Sequence, residues 1–133
     1  MMRGSYALVV VLEERRVVET GALGSLDLEA GTYIYCGSAM GGLEQRLGRH
    51  FRSEKKVHWH IDRLLEAGKP MGALLFDGQD RECEAAAFLA DKGRPVSGFG
   101  CSDCSCTSHL FRVPEHRLTL VLDGLRLLAE GND

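Results

Sequence analysis

A chain of 133 residues, 44% hydrophobic and 26% charged, has enough apolar material for one core and needs neither a metal nor a disulfide to fold. Its net charge of −3 argues against a protein that coats nucleic acid non-specifically, and no apolar run approaches the roughly 20 residues of a membrane span. The start lacks a signal-peptide pattern and the five cysteines are an odd set, so the expectation is one cytoplasmic domain, residues 1–133, with reduced thiols and no membrane partner.

In chain order, Ser5 to Leu12 is a short, nearly continuous, β-branched apolar run that predicts a central buried strand. Glu13 to Arg16 is a charged turn, and Val17 to Thr20 predicts an antiparallel return strand. Gly21 to Ala30 is expected to loop. Thr32 to Gly37 predicts a strand with Tyr33 and Tyr35 on one face and Ile34 and Cys36 on the other. A Gly-rich turn then leads to a helix, Leu43 to Phe51, with Leu43, Leu47 and Phe51 facing inward. Trp59 to Ala67 predicts a second helix, ended by Gly68 and Pro70, and Met71 to Phe76 another strand. Glu82 to Ala90 is an Ala-rich helix with acidic residues at its start. Lys92 to Thr107 lacks periodicity. Ser108 to Val113 predicts a last short strand, and Arg117 to Ala129 a closing helix with Leu118, Val121, Leu122, Leu125 and Leu128 in one stripe.

The chemistry concentrates between Gly31 and Arg63. Gly37 and Ser38, in a turn before a helix, offer backbone N–H groups and the positive end of a helix dipole to an anion. Arg46, Arg49, Arg52, Lys55, Lys56 and Arg63 stand against Glu54 and Asp62, a local charge of +4, and His50, His58 and His60 lie in the same stretch. Arg46 and His50, at i and i+4, flank the apolar seam and are placed to line a pocket rim. A basic face on an acidic protein points to phosphate contacts at one site, through Arg49 and, where His58 and His60 alternate on one face, through those imidazoles.

Gly4-Ser5-Tyr6 on the first strand, Tyr35-Cys36-Gly37 on a later one, and Arg46 and His50 on the next helix resemble the GIY-YIG nuclease superfamily. The segments 31–39, 58–62, 81–83 and 98–111 look most like an uncharacterised branch of it, a domain of unknown function found alone or fused to endonuclease III-like proteins. The resemblance implies an α+β fold, a small antiparallel sheet of about three main strands plus an extra one, flanked by helices. It also implies metal-dependent hydrolysis of DNA phosphodiesters with Mg²⁺ or Mn²⁺. Carried over, Tyr6 and Tyr35 orient or deprotonate the attacking water, Arg46 stabilises phosphate charge, His50 stands near the nucleophile, and Glu82, or else Glu84, holds the metal. The span between Tyr6 and Tyr35 exceeds the usual spacing, and Ser5 and Cys36 replace the central isoleucines.

Cys101, Cys104, Cys106 and His109 are four soft donors that invite structural zinc, but the spacing lacks paired knuckles and better suits thiols packing a tight loop, with Cys83, under the sheet. Branched or damaged DNA, or delivery by a repair protein, suits the negative overall charge better than scanning of plain duplex. The alternative function is a non-catalytic nucleic-acid-binding or adaptor module.

Overall fold

The computed structural model describes residues 3–52, 60–101 and 104–130. The expected α+β architecture is present, with a larger sheet than three strands and an extra one. In chain order the elements are β1 (Gly4–Leu12), β2 (Arg16–Glu19), β3 (Ser25–Leu28), β4 (Gly31–Ala39), α1 (Leu43–Phe51), α2 (His60–Ala67), β5 (Lys69–Asp77), α3 (Glu82–Leu89), β6 (Arg94–Pro95), β7 (Leu110–Val113) and α4 (Glu115–Glu130). Five strands form one antiparallel sheet in the order β5-β1-β4-β7-β6, and β2 and β3 form a separate hairpin.

The apolar run of β1 is explained by its place: it is hydrogen-bonded on both edges, by β4 and β5, and covered on both faces. Alternation along the strands then assigns two cores. Tyr6, Leu8, Val10 and Leu12 of β1 join Tyr33 of β4 on one face, under Leu43 of α1, Ile61 and Leu64 of α2, and Val18 and Leu28 of the hairpin. Ala7 of β1 joins Ile34 and Cys36 of β4 on the other, under Ala85, Ala86 and Leu89 of α3 and Val121 and Leu125 of α4. The sheet is thus the middle of three layers.

Three expectations are corrected. β2 does not return along β1. It pairs with β3, a strand inside the segment expected to loop, where Leu26 and Leu28 alternate with Ser25 and Asp27. In α1, Phe51 is 48% exposed while His50 is buried: Phe51 is the last helical residue, and His50, one position earlier, takes the inward place against Tyr6. The Gly-rich turn is also shorter than the composition suggests. β4 runs to Ala39, so Gly37 and Ser38 are strand residues paired with Tyr6 and Ser5, and the turn proper is closed by Gly42 N–H donating to the Ala39 carbonyl at 3.0 Å.

Candidate active site and adjoining thiol cluster

The site lies at the end of the sheet where β1 begins and β4 finishes. There the Tyr6 phenol and the His50 imidazole meet, Oη to Nε2 at 2.6 Å, both buried. They come from β1 and α1, which the sequence separates by 44 residues and the β1–β4 ladder brings together. The Tyr35 ring completes an aromatic triangle, tilted against Tyr6 with centroids 6.3 Å apart and edge-on to His50 at 6.5 Å. Phe99, unremarked in the sequence, packs edge-on to Tyr35 at 6.0 Å and to His60 at 5.6 Å, and is itself fully buried. Gly98 and Gly100 flank it in the left-handed region, with φ 79° and 72°, and turn the loop so that Phe99 enters the core.

Arg46 donates from Nη1 to the Ser38 carbonyl at 2.8 Å and acts on the Tyr6 phenol by both charge and hydrogen bonding. Burial nevertheless wins and pushes that phenol up to about 12. Tyr35 moves the same way, well above the ordinary phenol range, burial again being the largest cause. Both rings are therefore protonated near neutrality, and the Tyr6 hydroxyl shares a hydrogen bond with His50 Nε2. The sign of the stability effect follows. Between pH 10 and about 12 the unfolded chain releases the Tyr6 proton while the folded chain keeps it, so stability falls across that window by roughly 2–3 kcal/mol. Urea denaturation at a series of alkaline pH values is expected to show this loss in the wild type and a correspondingly smaller one in Tyr6→Phe.

Gly37 faces Tyr6 across the ladder. A methyl group there would overlap Cζ and Oη of Tyr6 and come within 2.9 Å of the Tyr35 ring. Gly37 thus has a packing role: it leaves the space both phenols occupy. Gly37→Ala is expected to destabilise the fold by about 1–3 kcal/mol and to separate Tyr6 from His50. Thermal unfolding and the histidine chemical shifts check this.

Glu82 begins α3, and its charge reaches both Tyr6 and Tyr35. The entry to this helix is fixed by Ser5, whose buried hydroxyl donates to the Gln79 carbonyl and accepts the Arg81 N–H, both at 2.8 Å. The serine standing where the resemblance leads one to expect isoleucine thus anchors the turn that presents Glu82. Glu82 and Asp80 line a cavity of about 290 Å³ together with Cys83, Gly100, Cys104 and His109. Glu84 is directed elsewhere, with Oε2 3.5 Å from Arg81 Nη1, and is not among the lining residues.

Two expected phosphate ligands have other neighbours. Arg49 forms a two-pronged ion pair with Asp62, both contacts 2.8 Å, joining α1 to α2. His60 packs on Phe99. His58 lies outside the described residues.

Beside the carboxylates the chain gathers thiols. The donor atoms of Cys83, Cys104, Cys106 and His109 all lie within 4.8 Å of one another, a grouping that could hold a metal ion. The four-donor set expected from sequence proximity is corrected at one position: Cys83 of α3 takes the place of Cys101, whose Sγ faces the Thr107 carbonyl at 3.7 Å. Burial and the neighbouring Cys106 and Cys104 thiols push Cys83 up to about 12.

Residues 5–128 match the family described as Domain of unknown function DUF123. The chain belongs to that family. No curated protein and no solved structure matches it. The matched span of the DUF123 domain takes in every residue of the Tyr6–His50–Arg46–Glu82 grouping and of the thiol cluster. Among its described residues no helix is long and apolar enough to cross a membrane.

Proposed function

We propose that this DUF123 domain is a metal-dependent endonuclease that hydrolyses DNA phosphodiester bonds, acting on branched or damaged substrates, alone or with a repair protein. The observation that carries the reading is the convergence at one sheet end of a Tyr6–His50 hydrogen bond at 2.6 Å, the Arg46 guanidinium, and the Glu82 carboxylate. In-line attack on a phosphodiester needs these roles: a proton acceptor for water, a cation for the phosphate oxygens and a carboxylate for a metal. The GIY-YIG resemblance assigns the same residues.

In this mechanism His50 is the proton sink. Tyr6, held protonated by burial, is a weak base on its own, but it passes its proton to His50 Nε2 as it takes one from the attacking water. Arg46 is set beside the phenol to stabilise charge on the non-bridging oxygens. Tyr35, packed against the Tyr6 and His50 rings, would orient the water. Glu82 suits a hard divalent ion: its side chain is 31% exposed and shares its cavity with Asp80, leaving room for an ion that keeps much of its hydration shell. Mg²⁺ or Mn²⁺ there would supply charge stabilisation at the leaving oxygen.

The raised phenols favour a second reading, a nucleic-acid-binding or adaptor module without turnover. Incubation of labelled single-stranded, duplex, flap and junction DNA with Mg²⁺ or Mn²⁺ separates the two. Metal-dependent cleavage that Arg46→Ala and Glu82→Ala both lose supports the endonuclease. Salt-sensitive binding without any cleavage supports the module.

A further inference from the structure

We propose that Cys83, Cys104, Cys106 and His109 form a tetrahedral zinc site that pins the loop before β7 to the start of α3.

The distances suit the ion. Zinc bonds of about 2.3 Å to sulfur and 2.0–2.1 Å to nitrogen, at tetrahedral angles, put sulfur and nitrogen donors about 3.6 Å apart. Cys104 Sγ and Cys83 Sγ are 3.5 and 3.7 Å from His109 Nε2. The remaining sulfur, of Cys106, lies within 4.8 Å of all three. Three sulfurs and one imidazole nitrogen form a soft set that selects zinc over Mg²⁺, Ca²⁺ or Mn²⁺.

The histidine is oriented for the task. His109 is buried, with Nε2 turned to the sulfurs and Nδ1 turned to Glu82 Oε2 at 3.6 Å. A proton on Nδ1 leaves the Nε2 lone pair for the metal; Nδ1 itself makes no hydrogen bond among the described residues, and Glu82 at 3.6 Å acts on it as a nearby charge. The backbone holds the same residue in place: the His109 carbonyl accepts the Cys36 N–H at 2.8 Å, and its own N–H donates to the Phe99 carbonyl at 2.8 Å.

The site also gives the loop a purpose. The described residues between β6 and β7, 96–101 and 104–109, have no regular structure and carry Phe99 into the core beside Tyr35. Three of the four ligands come from this loop and the fourth from α3, so the metal ties the segment to a rigid helix. On binding, the three thiols release their protons to solvent and His109 ligates as neutral imidazole, with no change of oxidation state. No step of the phosphodiester chemistry uses these sulfurs; the two sites meet at Glu82, beside His109.

The test is the metal content of the full chain, purified under reducing, chelator-free conditions, together with Co²⁺ titration of chelator-stripped protein. About one zinc per chain is expected, with Co²⁺ giving thiolate charge-transfer bands and the strong visible absorption of tetrahedral coordination. Cys83→Ser and Cys106→Ser are expected to lose the zinc, and Cys101→Ser to keep it. Wild-type protein that takes up neither ion while Cys83, Cys104 and Cys106 react freely with a thiol reagent, or that holds a disulfide among them, would overturn the proposal. So would loss of zinc from Cys101→Ser as complete as from Cys83→Ser. Because the Co²⁺ spectrum is read on the wild type, a variant that fails to fold does not decide the matter.

Discussion

Replacing Arg49 by alanine is expected to lower the unfolding free energy by about 3–5 kcal/mol, the cost of leaving a buried charge without its partner. The Asp62 side chain is 0% exposed and that of Arg49 17%, so water replaces little of what the guanidinium supplies. The two parallel contacts at 2.8 Å also fix geometry. They connect α1, which carries Arg46 and His50, to α2, which covers the same sheet face with Ile61 and Leu64. Loss of the pair therefore loosens the helix that bears half of the candidate site. Chemical denaturation measures the effect, and an Arg49→Met/Asp62→Leu double variant is expected to recover much of it, because the buried carboxylate that lost its guanidinium is gone. A cost below about 1 kcal/mol for Arg49→Ala would place the pair with ordinary surface ion pairs.

Arg46→Ala is expected to reduce DNA cleavage by about 10²–10³-fold, comparable with removing one preorganised donor from other sites that stabilise developing negative charge. The side chain holds two structures together at that point, the Ser38 carbonyl at the end of β4 and the Tyr6 phenol. Its removal takes away a positive charge that lowers the Tyr6 pKa against the effect of burial. The pH–rate profile of the variant is therefore expected to change along with the rate. Unchanged cleavage by a folded Arg46→Ala protein would remove Arg46 from the chemistry.

Parity and period made much of the fold legible. The β1 run from Ser5 to Leu12, the opposed faces of Tyr33 and Ile34 on β4, and the apolar stripe of α4 each follow from side-chain alternation or helical repeat. What the sequence hid depends on where elements end and what they meet. Leu26 and Leu28 are too few to announce β3 between glycines, and the seam of α1 includes His50, set against Tyr6, in preference to Phe51, the last helical residue. Proximity in sequence misled where proximity in space decides. Asp62, beside Arg63, pairs with Arg49 of another helix, and Cys101, three residues from Cys104, gives way to Cys83 of α3. Tyr6, Tyr35, Arg46, His50 and Glu82 stand out because the resemblance to GIY-YIG nucleases points to those positions, not because their residue types alone mark them. Phe99, which buttresses Tyr35, carries no polar atom and is not one of them.

The central claim is tested most directly by the single-turnover cleavage rate of a labelled flap DNA as Mg²⁺ is titrated, for wild type and Glu82→Ala. Cleavage by the wild type is expected to rise with Mg²⁺ and saturate, and a folded Glu82→Ala protein is expected to lose both the rate and its metal dependence. Cleavage with the same metal dependence in both proteins would contradict that claim.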